Sequence, residues 1–192
     1  MRFLLGLLFA FAVATVVGLG ATFLVLTRGT AFGAVTIGAW TAWPKTGTSD
    51  IDPYARALIA RTGELPIGSG DGIAFFARSD DLGRPLDGQC EVTISGTTPQ
   101  ARFWTIALYD TQGQLVANAL KRQGFTSQEV VRKPDGGFEI KVAPRARTGN
   151  WLPSGGVEQY VLVLRLYDSP AGLASRARRE APMPSLMLGD CP

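Results

Sequence analysis

The chain has 192 residues with 19 Lys+Arg against 16 Asp+Glu, which fits one domain of ordinary size and favours no strongly acidic partner. A hydrophobic content of 46% excludes a disordered chain. Histidine is absent, which excludes Ser-His-Asp and Cys-His catalysis and any histidine-ligated zinc or iron site. The 23 glycines and 12 prolines favour a β fold rich in turns.

An uncharged apolar run lies between Arg2 and Arg28. As a helix, about 25 residues would extend roughly 37 Å, enough to cross a hydrocarbon core of about 30 Å. The alternative is a cleaved signal peptide, whose apolar core is shorter, about 7–15 residues. We therefore predict that residues 1–28 form an uncleaved signal anchor, a single pass through the inner membrane with the C-terminal domain in the periplasm.

Two cysteines are present, Cys90 and Cys191. An even number of cysteines in an exported domain predicts a disulfide, which here would tie down a tail of residues 171–192. The bond would close a loop of about 100 residues, a restraint worth up to about 4.7 kcal/mol in the chain-entropy model. The alternative is two unrelated thiols. Two thiolates without histidine do not predict a metal site, and the sequence indicates no cofactor.

Beyond the membrane, residues 29–48 are small, apolar and glycine-rich and are predicted as a connector. Asp52 as N-cap, Pro53 in the first helical position and Gly63 as C-cap then predict a short helix. Residues 160–167 are apolar on both faces, as expected of a central strand. Over residues 49–170 we predict a mainly β domain, an antiparallel sandwich or jelly-roll-like fold, with strands at 73–78, 90–95, 102–110, 114–118, 128–133, 137–142 and 158–168.

Three residues are candidates for ligand binding. Trp151 in a loop would stack on a sugar or an apolar ligand, Asn150 would orient that loop, and Arg165 would bind an anionic or hydroxyl-rich group. The structural alternatives are that Trp151 plugs the end of the sandwich while Asn150 bonds the turn backbone. Arg165 would then form a buried clamp with Asp110 or Asp168.

Several aspartates lie in or beside predicted turns. A pair of them could act in glycoside hydrolysis or bind calcium, although no EF-hand spacing is present. Aspartate is also common in turns because its side chain bonds nearby backbone N–H groups, and we expect that role for most of this set: Asp71, Asp80, Asp81, Asp87, Asp110 and Asp168.

A series of motifs covers residues 38–170. The motifs, in chain order, are Gly38-Ala39-Trp40, Trp43-Pro44, Asp52-Pro53-Tyr54-Ala55-Arg56-Ala57, Gly63-Glu64-Leu65-Pro66, Arg102-Phe103-Trp104-Thr105, Gly149-Asn150-Trp151-Leu152-Pro153 and Leu164-Arg165-Leu166-Tyr167. Together they resemble the bacterial envelope proteins known as domain of unknown function 1214. The resemblance implies a jelly-roll-like β domain, joined to or encoded beside a domain of unknown function 1254, and it implies no activity.

Three functions remain open at this point. We expect a non-enzymatic, membrane-tethered periplasmic domain that is one subunit of an envelope complex, with a separate domain 1254 protein as partner and no nucleic acid. The second hypothesis is a module that binds a carbohydrate or another small ligand. The third is a hydrolase that uses two carboxylates.

Overall fold

A computed structural model describes residues 2–28, 33–62, 67–68, 70–169, 181–189 and 191. Gly63, the predicted C-cap, and most of the predicted tail lie outside the described residues. The helices are α1 (Arg2–Arg28) and α2 (Pro53–Thr62). The strands are β1 (Val35–Ile37), β2 (Trp40–Ala42), β3 (Gly72–Ala77), β4 (Val92–Gly96), β5 (Phe103–Asp110), β6 (Gly124–Thr126), β7 (Phe138–Ala143), β8 (Asn150–Pro153), β9 (Tyr160–Tyr167) and β10 (Ser185–Leu188).

Helix α1 is long and apolar enough over Arg2–Val25 to cross a membrane, and none of that segment is buried inside the protein. Its large apolar side chains, such as Phe9 and Leu19, are exposed. A helix that is apolar on all sides and packs into no core is typical of a membrane span.

Helix α2 begins where the sequence predicts. Asp52 is its N-cap, and the Asp52 carboxylate accepts hydrogen bonds from the backbone N–H groups of Tyr54 at 2.9 Å and Ala55 at 3.2 Å. These bonds satisfy two of the N–H groups that a helix N-terminus leaves without partners.

The predicted mainly β sandwich is confirmed. In the described part of the chain, six strands form one sheet in the order β1-β2-β3-β9-β5-β6, and four form another in the order β10-β4-β7-β8. Apolar side chains of both sheets share one core, where the rings of Trp104 and Phe138 lie 5.0 Å apart. Strand β9 is central, as predicted, but β8 runs parallel to β7, so the smaller sheet is mixed rather than antiparallel.

The predicted strands at 114–118 and 128–133 are wrong. Only single bridges form there, between Tyr109 and Leu115 and between Arg132 and Phe138. In the second segment the Asn150 side chain bonds both backbone groups of Val131. Side chains that satisfy backbone groups in this way replace the ladder of a strand.

Five short strands of the described chain escape the sequence patterns: β1, β2, β6, β8 and β10. Strands β1 and β2 lie within the predicted connector and pair as a hairpin that extends the larger sheet. Trp40 is fully buried, and its indole N–H donates to the carbonyl oxygen of Pro184 at 2.7 Å. Three residues are too few for an alternation to stand out, so only long-range packing reveals these strands.

The C-terminal strand β10 is held by several independent contacts. It pairs with β4, and the predicted disulfide joins Cys90 to Cys191 just beyond it. The Asp81 carboxylate accepts the N–H of Leu186 at 2.9 Å, and the Asp80 carboxylate accepts the N–H of Leu188 at 3.3 Å.

Candidate functional site

Asn150, the first predicted site residue, has a structural role. It begins β8, is 7% exposed and lies on the inner side of the smaller sheet. Its amide group accepts the N–H of Val131 at 2.8 Å and donates to the carbonyl oxygens of Val131 at 2.9 Å and Glu139 at 2.8 Å. Both amide hydrogens and the carbonyl are therefore used inside the fold, and Asn150 takes the place of a neighbouring strand for the segment around Val131.

Trp151, the second, lies on the outer face of the smaller sheet. Its neighbour Leu152 is fully buried, and in the register of the sheet Trp151 stands beside Lys141 of β7. The indole is half-buried, and its N–H donates to the carbonyl oxygen of Ala143 at 3.1 Å. Trp151 therefore covers part of a polar sheet face.

Arg165, the third, lies on the outer face of the larger sheet. Leu164 and Leu166, its neighbours in β9, are fully buried in the core, so the alternation of the strand turns Arg165 outward. Trp151 and Arg165 therefore lie on opposite outer faces of the sandwich. The structure does not bring the predicted trio together, because β8 and β9 belong to different sheets.

The predicted clamp between Arg165 and a carboxylate is absent. Asp168 pairs instead with Arg102 at 3.7 Å, and both of those side chains are exposed. Arg165 donates a hydrogen bond of 2.7 Å to the Tyr109 hydroxyl and stacks with its guanidinium carbon 5.1 Å from the centre of the Tyr109 ring. Among the described residues, no carboxylate lies within ion-pair distance of Arg165.

A groove of about 370 Å³ opens on this outer face, lined by Arg165 and by β3, β5, β9 and their adjoining loops. The sheet register places Phe76 beside Val163 and Tyr109 beside Val161. Although they lie on the outer face, Val163 is 2% exposed and Val161 is 8% exposed. The groove therefore has an apolar floor with an aromatic ring on each side.

A second arginine, Arg78, also lines this groove. Its guanidinium carbon lies 5.9 Å from the centre of the Phe76 ring, a cation–π arrangement like that of Arg165 and Tyr109. The acidic residue of the lining is Asp110, whose carboxylate caps a turn by accepting the N–H groups of Gln112 and Gln114 at 2.9 Å each.

The other aspartates named from the sequence bond mainly to turn and loop backbone or to a nearby arginine. Asp80 is buried and forms an ion pair of 2.6 Å with Arg84, and Asp87 accepts the N–H of Gln89 at 2.8 Å. The described residues contain no group of three or more His, Cys, Asp or Glu that could hold a metal ion. These aspartates therefore act mainly as turn caps.

Tyr160 lines the groove from the core side, and its buried hydroxyl has no hydrogen-bond partner among the described residues. Burial first, and then the negative charge of Asp87, raises the pKa of the Tyr160 hydroxyl far above its ordinary value of 10.0. The hydroxyl is therefore neutral at physiological pH and unsuited to act as a general base.

Sequence reasoning found Arg165 but missed Phe76, Arg78 and Tyr109. The available signal was the apolar character of both faces of residues 160–167. A central strand whose outer side chains are valines requires either a covering layer or an apolar surface. The side chains that border that surface come from β3 and β5, and only the pairing of the strands identifies them.

Comparison with known proteins gives a family and a fold. The profile of the family described as "Protein of unknown function (DUF1214)" matches residues 71–171. The crystal structure of the VPA0106 protein from Vibrio parahaemolyticus is similar with a TM-score of 0.58 and 17% identity, over 71% of this chain and 35% of that one. An uncharacterized protein from Burkholderia cenocepacia gives a TM-score of 0.47 and 16% identity, over 89% of this chain and 40% of that one.

Both solved proteins are much longer than this chain. The region that each shares with it makes up 35% of the first protein and 40% of the second. At 17% identity the Vibrio structure shows a common fold only. No curated protein matches the sequence.

Proposed function

Since the chain belongs to the DUF1214 family of proteins of unknown function, its role has to be argued from its own residues, and we propose that it is a membrane-anchored, non-enzymatic binding domain. In this proposal the outer groove of the larger sheet holds a small ligand. The observation that carries the proposal is Arg165, a half-buried cation on an apolar sheet face with no carboxylate partner among the described residues.

Two features support a location for the domain. An apolar helix of 27 residues precedes the β domain, and a disulfide closes its C-terminal strand. Disulfides persist in oxidising compartments and are rare in the cytosol. Together these features support an anchor in the inner membrane and a domain in the periplasm.

The argument for a ligand is energetic. A charged group on an apolar surface loses hydration, and that loss is costly unless a partner of opposite charge compensates it. The volume of about 370 Å³ lies within the range of small-molecule sites. An apolar floor with a few polar groups at its border is typical of such sites.

A thermal-shift screen of the full chain in neutral-lipid nanodiscs tests this proposal. A ligand at about 100 times its dissociation constant should stabilise the protein by about 2.7 kcal/mol. Tyr109→Ala, which removes one side of the groove, should abolish the shift. Trp151→Ala, on the opposite face, is the matched control and should leave it unchanged. A ligand that depends on Trp151 and not on Tyr109 would contradict the proposal and favour a site on β8.

A second candidate function is that of a subunit in an envelope complex, with a separate domain 1254 protein as the partner. It is favoured by the length of the Vibrio relative, of which this chain spans only 35%. Restriction of two proteins to one membrane plane raises their effective concentration, so a modest interface would be sufficient. Crosslinking in intact cells followed by mass spectrometry should recover that partner, and recovery of self-crosslinks alone would contradict this candidate.

A further inference from the structure

The groove also indicates a class of ligand. We propose that it binds a single-chain amphipathic anion, with a carboxylate or phosphate head on Arg165 and an apolar body along Phe76 and Val163. This inference rests on the proposed function, since it names the ligand of the same groove.

The head group is recognised by Arg165 and Tyr109 together. A guanidinium has five N–H donors in a planar fork that matches carboxylate and phosphate oxygens. The one side-chain hydrogen bond of Arg165 to a described residue goes to Tyr109, so most of its donors remain for a ligand. The Tyr109 hydroxyl accepts that bond, which leaves its own proton to donate to the same head group. Stacking on the Tyr109 ring holds the fork in position, which lowers the entropic cost of binding.

The sign of the charge follows from the groove lining. Arg165 is a cationic residue of the lining with no carboxylate partner among the described residues, and the acidic residue of the lining is Asp110. One carboxylate oxygen of Asp110 is already occupied by turn N–H groups. A negatively charged ligand is therefore favoured over a cation or a neutral molecule.

The apolar body follows from the floor. Phe76 and Val163 are directly paired across β3 and β9, and Val161 lies two residues before Val163 on the same side of β9. A sugar ring on this floor would place hydroxyl groups against apolar carbon and lose their hydrogen bonds to water. A hydrocarbon segment gains free energy there, about 0.8 kcal/mol for each buried CH₂ group.

The experiment uses the full chain with ¹³C-labelled valine methyl groups in phosphatidylcholine nanodiscs. Decanoate is the free anionic probe, decanol is its neutral counterpart, and acetate has the head group alone. Nanodiscs that contain lysophosphatidate present the same chemistry from the membrane. The methyl resonances of Val161 and Val163 report on the groove, and those of Val142, buried in the smaller sheet, provide the internal control.

Decanoate should shift the Val161 and Val163 resonances saturably, and decanol and acetate should each bind at least tenfold more weakly. If lysophosphatidate shifts the Val161 and Val163 resonances and decanoate does not, the anion comes from the membrane. If decanoate shifts them and lysophosphatidate does not, the anion is a free molecule.

Arg165→Gln should weaken decanoate binding at least tenfold. Tyr109→Phe, which keeps the ring, is a second test if Arg165→Gln does not fold. Arg132→Gln is the matched control, because Arg132 also stacks on an aromatic ring, that of Trp104, and does not line the groove.

Equal binding of decanol and decanoate, or unchanged binding in Arg165→Gln and Tyr109→Phe, would overturn the amphipathic-anion inference. If a neutral sugar shifts the Val161 and Val163 resonances while decanoate and lysophosphatidate do not, this inference fails and the proposed function stands. If no compound of the thermal-shift screen and none of the probes shifts the Val161 and Val163 resonances, both this inference and the proposed function fail.

Discussion

Single polar side chains hold the loops of this sandwich in place by bonding to backbone groups. Asn150 does so for the segment around Val131, and Asp80 does so for a turn and for β10. In sequence both resemble site residues, Asn150 because it stands beside Trp151 and Asp80 because a carboxylate could act in hydrolysis or bind calcium. Their hydrogen bonds to the backbone assign them to the framework instead.

Asn150→Ala should lower the free energy of unfolding by about 1–3 kcal/mol, because it leaves part-buried backbone groups of Val131 and Glu139 without partners. Asn118→Ala is the matched control. Asn118 also makes two hydrogen bonds to the backbone, but at an exposed site, so the loss should stay below about 1 kcal/mol. Urea unfolding measures both variants, and equal losses would refute the framework role of Asn150.

Asp80 should make stability depend on pH in the acid range. Burial acts to raise the pKa of its carboxyl, but hydrogen bonds from Arg84 and from the N–H of Leu188 outweigh burial and lower the pKa below its ordinary value of 3.8. A carboxyl whose pKa is lowered on folding stabilises the fold at pH values above its unfolded-state pKa. This contribution is lost as the pH falls through its folded-state pKa. Asp80→Asn should therefore be less stable than wild type near neutral pH. The difference in unfolding free energy between the two proteins should narrow as the pH falls below 3.8. A gap that stays constant with pH would contradict this assignment.

At the scale of elements, β10 shows how a C-terminal strand of four residues can be fixed to a domain. It has ladder hydrogen bonds to β4, side-chain bonds from two aspartates, and a disulfide just beyond its end. The indole of Trp40 adds a bond to the segment that precedes it. Because these contacts involve different groups, we expect the strand to dock when any single one is removed.

Replacement of both Cys90 and Cys191 by Ser should lower the melting temperature and leave the fold intact. The disulfide closes a loop with a sequence separation of 101, and its removal should cost up to about 4.7 kcal/mol. The other contacts of β10 remain in the variant. Circular dichroism should show an unchanged β spectrum with an earlier transition, whereas loss of the spectrum would show that β10 depends on the bond.

Part of this fold could be predicted from local sequence, and part could not. The Asp52 cap and the central strand β9 rest on signals within a few residues, and both are confirmed. The outward orientation of Arg165 could not be predicted from its own strand, because both faces of that strand are apolar, and it is known only from the burial of Leu164 and Leu166. The sheet to which a strand belongs cannot be predicted from that strand alone. Trp151 lies in the smaller sheet only because β8 pairs in parallel with β7. The groove depends on three strands that are distant in sequence, so its members could not be grouped in advance.

At the scale of the whole molecule, the two outer faces of the sandwich differ. The smaller sheet is covered by compensated charges, with Lys133 paired to Glu139 and Lys141 paired to Glu91. The larger sheet has an apolar floor and an arginine that pairs with no described carboxylate. This asymmetry is the main reason to place binding on the larger sheet.

The proposed membrane anchor predicts the orientation of the whole chain. Alkaline phosphatase fused to the C-terminus should be active, because the enzyme folds only where its disulfides form. A fusion of a fluorescent protein that matures only in the cytoplasm should be dark. The opposite pattern would place the β domain in the cytoplasm and would leave its disulfide without an oxidising compartment.

Native mass spectrometry of the full chain released from its own membranes tests most directly whether the groove holds a ligand. Wild type and Trp151→Ala should show the same bound small molecule, and Tyr109→Ala should lack it. Lipids attached to α1 would appear in all three proteins and are thereby distinguished. An identical set of bound masses in all three proteins, or none in any of them, would contradict a ligand site on the larger sheet.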